Sequence, residues 1–234
     1  MFRLTIPAQG GRVKNEPQST EAKESARAPV KIASVDHVDT GAQNWAFKNS
    51  RTFDQAELEE VSRISENEEY RKWFTTRDAV PAERRRDLIT VEGNSAQSVE
   101  INGLQVDKKC SPPLSGTLFT NPNAGQANNI SLLLDLDEQI PTPRGMKILV
   151  DASSTKYFCE YTLNLKITAG DAQFTQKVMD NGTPFKVSAM LEGKGDKILS
   201  GYQSAYVGGV LNTCGGGTFQ KVDAPTWTSL AGDC

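Results

Sequence analysis

Four cysteines, one histidine and a short acidic run are the side chains here whose types could do chemistry, and spacing decides which chemistry. Cys110, Cys159, Cys214 and Cys234 form no C-x-x-C pair, and His37 is the only histidine. A structural zinc site usually needs close-spaced ligand pairs, so two disulfides are preferred over a four-cysteine site assembled from distant strands. A nucleophilic Cys159 would need a base and a lowered pKa, usually from a histidine or a helix N-terminus. It sits instead in KYFCEYTLNLKI (156–167), where Tyr157, Cys159, Tyr161, Leu163, Leu165 and Ile167 fall at every second position. A strand turns successive side chains to opposite faces, so this run is a half-buried strand with Cys159 facing the core. Phe158 alone breaks the alternation.

The other candidates have plainer readings. His37, between Asp36 and Asp39, could enter a metal site, but such a group in a polar loop is expected to be solvated. Asp135, Asp137 and Glu138 do not fit an EF-hand loop. Asp135 and Asp137 share one strand face and are weak calcium candidates, with a solvent-facing polar edge preferred. Glycines 215–217 have no following Lys-Ser/Thr, so no phosphate loop is indicated. Arg84, Arg85 and Arg86, bracketed by Glu83 and Asp87, read as a solvated helix-to-strand connection. The two N-x-S/T triplets, at 129 and 181, carry no weight. No cofactor is expected.

Elements must position these residues, and composition bounds what they can build. The chain has 234 residues, 37% hydrophobic and 24% charged, with a formal net charge of −3. That excludes bulk attraction to nucleic acid, and no run of 18 apolar residues could span a bilayer as a helix. The apolar run near the N-terminus is too short and interrupted for a signal peptide. An export or anchor signal, if used, is expected outside these residues.

Residues 1–28 are polar and read as a flexible tether. VKIASVD (30–36) reads as a first strand. Helical spacing then appears twice within 53–77: Phe53, Ala56, Leu58, Val61 and Ile64 behind an Asp54 cap, and Tyr70, Trp73 and Phe74 behind a Ser65–Glu68 capping box. From residue 87 alternating runs dominate: DLITVEG, SVEINGLQV, PPLSGTLF, NISLLLDLDE, the opening strand, FTQKVM (174–179) and FKVSAML (185–191). Asn181-Gly182 joins the last two as the strongest hairpin signal, since both residues accept positive φ. The expected fold is mainly β, an antiparallel sandwich-like arrangement with a small two-helix insertion near residues 53–77. Its expected parts are 29–107 (α+β) and 108–234 (sandwich-like), or one continuous domain over 29–234.

VEGNSAQSVEINGLQVDKKCSPPLSGTLF (91–119), YFCEYTLNL (157–165), DNGTPFKVSAM (180–190) and YVGGV (206–210) occur in this order, after NWAF (44–47) and the Tyr70/Trp73 helix. Over about residues 30–210 the sequence thereby resembles a family of bacterial proteins, of high-GC Gram-positive type, whose activity is not established. The resemblance implies a β-rich extracytoplasmic domain following a membrane helix. Cys110 and Cys159 match the family's two cysteine positions; Cys214 and Cys234 look like additions. The expected bridges are Cys110–Cys159, stapling two sheets, and Cys214–Cys234, with Cys159–Cys214, Cys110–Cys214 or an unpaired Cys159 as alternatives.

The expectation is therefore a non-enzymatic, extracytoplasmic binding module, membrane-associated only through an anchor elsewhere. Its partner would be a protein, peptide or cell-envelope glycan. The alternatives are a glycan hydrolase using carboxylates such as Asp135, Asp137, Glu138 and Glu160, or a cytoplasmic regulatory domain with free thiols.

Overall fold

The computed structural model describes residues 4–6, 28–38, 44–93, 99–120, 146–191, 201–208 and 218–222. Asp39, the run 129–138 with Asp135, Asp137 and Glu138, glycines 215–217, Cys214 and Cys234 lie outside the described residues. In chain order the elements are β1 (Leu4–Ile6), β2 (Val30–His37), β3 (Asn44–Ala46), α1 (Gln55–Arg63), α2 (Asn67–Thr75), β4 (Val80–Ala82), β5 (Arg84–Gly93) and β6 (Val99–Ser111). There follow β7 (Thr117–Thr120), β8 (Met146–Ser153), β9 (Phe158–Ala169), β10 (Ala172–Val178), β11 (Phe185–Ser188), β12 (Ser204–Val207) and β13 (Gln220–Val222).

The protein is mainly β, with antiparallel and mixed sheets and two helices. The larger sheet runs β1-β6-β9-β11-β4-β3-β7-β12-β13, with β10 also on β9; the smaller is β2-β5-β8. The joins β11–β4 and β7–β12 are parallel, so the arrangement is not purely antiparallel. The smaller sheet packs on the β6–β9–β10–β11 half through Ile89, Val91, Leu163, Leu165, Ile167 and Val187, which makes that half sandwich-like. Around β3, β7, β12 and β13 the helices bury an aromatic cluster of Trp45, Phe47, Phe74, Phe119, Tyr206 and Phe219. Phe158, the residue that breaks the alternation of β9, packs against a third cluster containing Ala46, Leu118 and Val207.

Local chemistry sets the boundaries. Asp54 caps α1 as read from sequence, in a full capping box: Glu57 N donates to Asp54 Oδ1 at 2.9 Å and Asp54 N to Glu57 Oε2 at 3.1 Å. The second box does not form; α2 starts at Asn67, and its N-cap Glu66 makes no side-chain cap bond. Glu83, at φ 71°, is the single residue between β4 in one sheet and β5 in the other. Its amide donates to Ser188 O at 2.7 Å and its carbonyl accepts from Ser154 N at 3.0 Å, which ties down a left-handed corner. Gly116 has no room for a side chain, since a Cβ there would lie 2.2 Å from the backbone of Asn49.

Several expectations are corrected. The Asn181-Gly182 turn forms, with φ of 47° and 84°, but the runs it joins do not pair with each other. β10 and β11 both lie antiparallel to β9, on different stretches of it, and the turn is an excursion closed by an Asp180–Thr183 bridge. β9 and β10 are the true hairpin, through Gly170-Asp171. Leu4–Ile6, inside the stretch read as a tether, pairs with Val99–Ile101. The boundary drawn at 107/108 falls within β6, whose pairing with β9 continues across it. Tyr157, expected inward, is exposed.

Candidate ligand-binding cleft

The bridge between Cys110 and Cys159 marks one end of the site. The two residues are directly opposed on β6 and β9, with Cα atoms 4.1 Å apart, so the bond links neighbouring strands of one sheet instead of stapling two sheets. Reading back along this ladder, Lys108 opposes Tyr161, Val106 opposes Leu163 and Leu104 opposes Leu165. Cross-strand partners project from the same face, here the inner one. Yet Leu163 and Leu165 are 1% exposed and Tyr161 5%, whereas Leu104 and Val106 are 47% and 48% exposed. Among the described residues the smaller sheet covers β9 but ends at β8 and leaves β6 uncovered.

The result is a cleft of about 760 Å³, floored by Leu104, Val106, Tyr161 and Leu163 and walled by residues 149–157. The large hydrophobic residues exposed among the described residues are Leu104, Val106, Leu149 and Tyr157, and all four line it. Covering side chains of this size from half exposure gains about 1 kcal/mol each. Its wall strand β8 alternates, with Met146, Ile148, Val150 and Ala152 against the core and Lys147, Leu149, Asp151 and Ser153 outward. Among the described residues β8 pairs only with β5.

Between the two sheets, beside the cleft, lies a buried charge cluster that corrects two sequence readings. Arg84–Arg86 are not a solvated connection; they open β5, so alternation sends Arg85 inward and its neighbours outward. Arg85 grips Asp87 with Nε–Oδ2 at 2.8 Å and Nη2–Oδ1 at 2.9 Å, and Nη2 also donates to Asp180 Oδ2 at 2.8 Å. The Asn181-Gly182 turn thus aims Asp180 at Arg85. The guanidinium also lies 5.0 Å from the centre of the Phe185 ring, and Phe185 stacks on Tyr161. His37, expected in solvent, ends β2 with its side chain 2% exposed and Nδ1 3.4 Å from Asp87 Oδ1.

Burial opposes the charge on Arg85, but the hydrogen bonds and charges of Asp87 and Asp180 outweigh it and raise its pKa. Burial would likewise raise Asp87; hydrogen bonds from His37 and Arg85 overcome this and hold its carboxyl below the usual range. The Tyr161 hydroxyl is pushed up, first by burial and then by the Asp87 charge, and is buried without a hydrogen-bond partner among the described residues. On the outer face Arg84 and Arg86 both bind Asp151, the latter at 3.2 Å. Arg84 holds the Asp151 carboxyl low, chiefly by its hydrogen bond.

Of the remaining candidates, Glu160 pairs with Lys186 at 3.8 Å, and Asp36 accepts a bond from Ser34 Oγ. No three His, Cys, Asp or Glu side chains come together as a metal site among the described residues. No helix among them is long and apolar enough to cross a membrane. Sequence reasoning found the cysteine pair and the β9 face but missed the cleft. The signal was Leu104 and Val106 keeping the apolar alternation where no strand covers them among the described residues. Comparison with protein-family models, curated proteins and solved structures finds no match.

Proposed function

We propose that this chain is a non-enzymatic, extracytoplasmic binding module, tethered to a membrane through a segment elsewhere in the full-length protein, and that its ligand occupies the cleft between β6 and β8. The observation that carries this reading is the convergence of Leu104, Val106, Leu149 and Tyr157 on one concave surface. Isolated exposed hydrophobics are ordinary, but a grouped set lining a concavity is what binding sites use. The Cys110–Cys159 disulfide beside it is compatible with an oxidising compartment and holds the end of the floor in place. The cluster around Arg85 serves as a rigid support beside that floor, touching it through Phe185 and Tyr161. Arg85, Asp87 and Asp180 saturate one another, which suits positioning, while His37 Nε2 and the Tyr161 hydroxyl are buried without a hydrogen-bond partner among the described residues.

The test incubates the protein with a panel of peptides, peptidoglycan and soluble glycans, read for both retention and cleavage. Retention without cleavage, lost in a Leu104→Gln/Val106→Thr variant, is the expected result. Cleavage of any panel member would replace this reading with an enzymatic one.

A further inference from the structure

Resting on that reading of the cleft, we propose that its ligand is an extended, acidic polypeptide segment that adds, as a fourth strand of the smaller sheet, to the edge of β8 that is unpaired among the described residues. Width is the first argument. The inner face of β9 is buried against the smaller sheet, while the cross-strand partners on β6 are half exposed, so the floor left uncovered among the described residues is one strand wide. Strands in a sheet lie about 4.8 Å apart, and a segment beside β8 would sit over Leu104 and Val106. The second argument is the edge itself. Among the described residues β8 pairs only with β5, and an edge strand presents a row of backbone donors and acceptors to a further strand. An oligosaccharide has no matching ladder and would favour aromatic faces, of which the cleft rim offers Tyr157.

Charge fixes the chemistry of the segment. Lys108 and Lys156 line the cleft, and neither has an acidic partner within ion-pair distance among the described residues. Asp151, the carboxylate in the lining, is engaged by Arg84 and Arg86, so it does not offset those two lysines. Glu160 is engaged with Lys186, and Asp107 accepts from Asn164 Nδ2 at 2.7 Å. A chain with a net charge of −3 thus has a locally cationic cleft. The fitting segment seats apolar residues on Leu104 and Val106 and carries acidic residues that meet Lys108 and Lys156.

The test is calorimetric titration of the intact protein with capped peptides of about nine residues, long enough to span β8 at roughly 3.4 Å per residue. One alternates valine and glutamate; a second alternates valine and lysine. Two further forms of the acidic peptide are N-methylated at every valine or at every glutamate. A strand directs the N–H groups of alternate residues to opposite edges, so methylation in one parity removes the ladder and in the other leaves it intact. The acidic peptide is expected to bind at least about tenfold tighter than the basic one. One methylated form should lose about tenfold or more while the other stays within about twofold, since several backbone bonds are lost together.

Equal tolerance of both methylated forms, with binding still abolished by Leu104→Gln/Val106→Thr, overturns strand addition and leaves the cleft as the site. Equal binding of the basic peptide overturns the acidic specificity. Binding of a soluble N-acetylglucosamine hexamer, or dimerisation in sedimentation equilibrium, that the double variant abolishes while no peptide binds overturns the peptide ligand alone. Peptide binding indifferent to the double variant overturns the cleft reading itself.

Discussion

Where α1 and α2 cover β3, β7, β12 and β13, the core is aromatic and sealed; where the smaller sheet covers β6, β9, β10 and β11, it is aliphatic, carries buried charge and stays open along one side. In the aromatic half Trp45 stacks on Phe74 at 4.9 Å and Phe119 on Tyr206 at 4.8 Å, and Phe53 meets both members of the second pair edge-on. Rings fill space from many angles and helices can close over them. A covering sheet grows only by whole strands, and the three described strands of the smaller sheet leave a strip of the wider sheet uncovered among the described residues. Under the proposed reading, one half serves stability and the other recognition.

The largest expected effect tests the sealed half. Phe119 touches Phe47, Phe53, Trp73, Phe74, Tyr206 and Phe219, so Phe119→Ala should cost about 3–5 kcal/mol in urea unfolding. It should leave the cleft's ligand affinity unchanged under conditions where the variant stays folded. A variant that keeps its stability but loses binding would break the division of labour.

Next come two arginines separated by one position. Arg85→Ala leaves Asp87 and Asp180 without their cation, and the expected loss is about 3–5 kcal/mol. Arg84→Ala removes an exposed partner of Asp151, which also holds Arg86, and should cost no more than about 1 kcal/mol. The Asp87 carboxyl is held below its unfolded value near 3.9, so its contribution is present above that pH and is lost as pH falls through the folded value. Urea midpoints measured from pH 6 to pH 2.5 should therefore fall below about pH 4, and Asp87→Asn, less stable at neutral pH, should flatten that fall. Equal costs for the two arginines would mean that the strand alternation at the head of β5 is wrong.

These residues also show what was legible in the sequence. The face of β9, the helical pair near 53–77, the Asp54 cap and the Asn181-Gly182 turn could all be read because each is fixed by side chains within a few positions. Arg85 could not, because its burial depends on β5 beginning at residue 84, directly after the Glu83 corner, and on Asp180 arriving from 95 positions away. The hairpin was misassigned for a related reason: a turn motif fixes local φ values, but β9 is long enough to accept β10 and β11 end to end. The cleft was hidden because it is set by the number of strands in the covering sheet, which no local pattern encodes.

The Cys110–Cys159 bond is expected to matter at an intermediate level. It closes a separation of 49 residues, and chain-entropy arguments put its worth at about 2–4 kcal/mol. A Cys110→Ser/Cys159→Ser variant should fold with a urea midpoint lowered accordingly. Because the bond lies beside the cleft, ligand affinity should fall as well, unlike in Phe119→Ala. Mass mapping without reductant should first recover a peptide joining the two cysteines.

The smallest expected change in stability is the most discriminating. Leu104→Gln/Val106→Thr replaces apolar groups on the floor, and in an ordinary core such a double change would cost several kcal/mol. Here both side chains are about half exposed, on the inner face of the larger sheet beyond the edge of the smaller one. Their replacement removes little buried area and leaves no cavity, so the variant should unfold within about 1 kcal/mol of the native protein. β6 keeps its ladder to β9, since only side chains change. A near-silent variant that no longer binds ligand would separate recognition from stability at single-residue resolution. A loss above about 2 kcal/mol would mean that residues of the chain itself cover the floor in solution. The two halves would then both be sealed, and the comparison would fall.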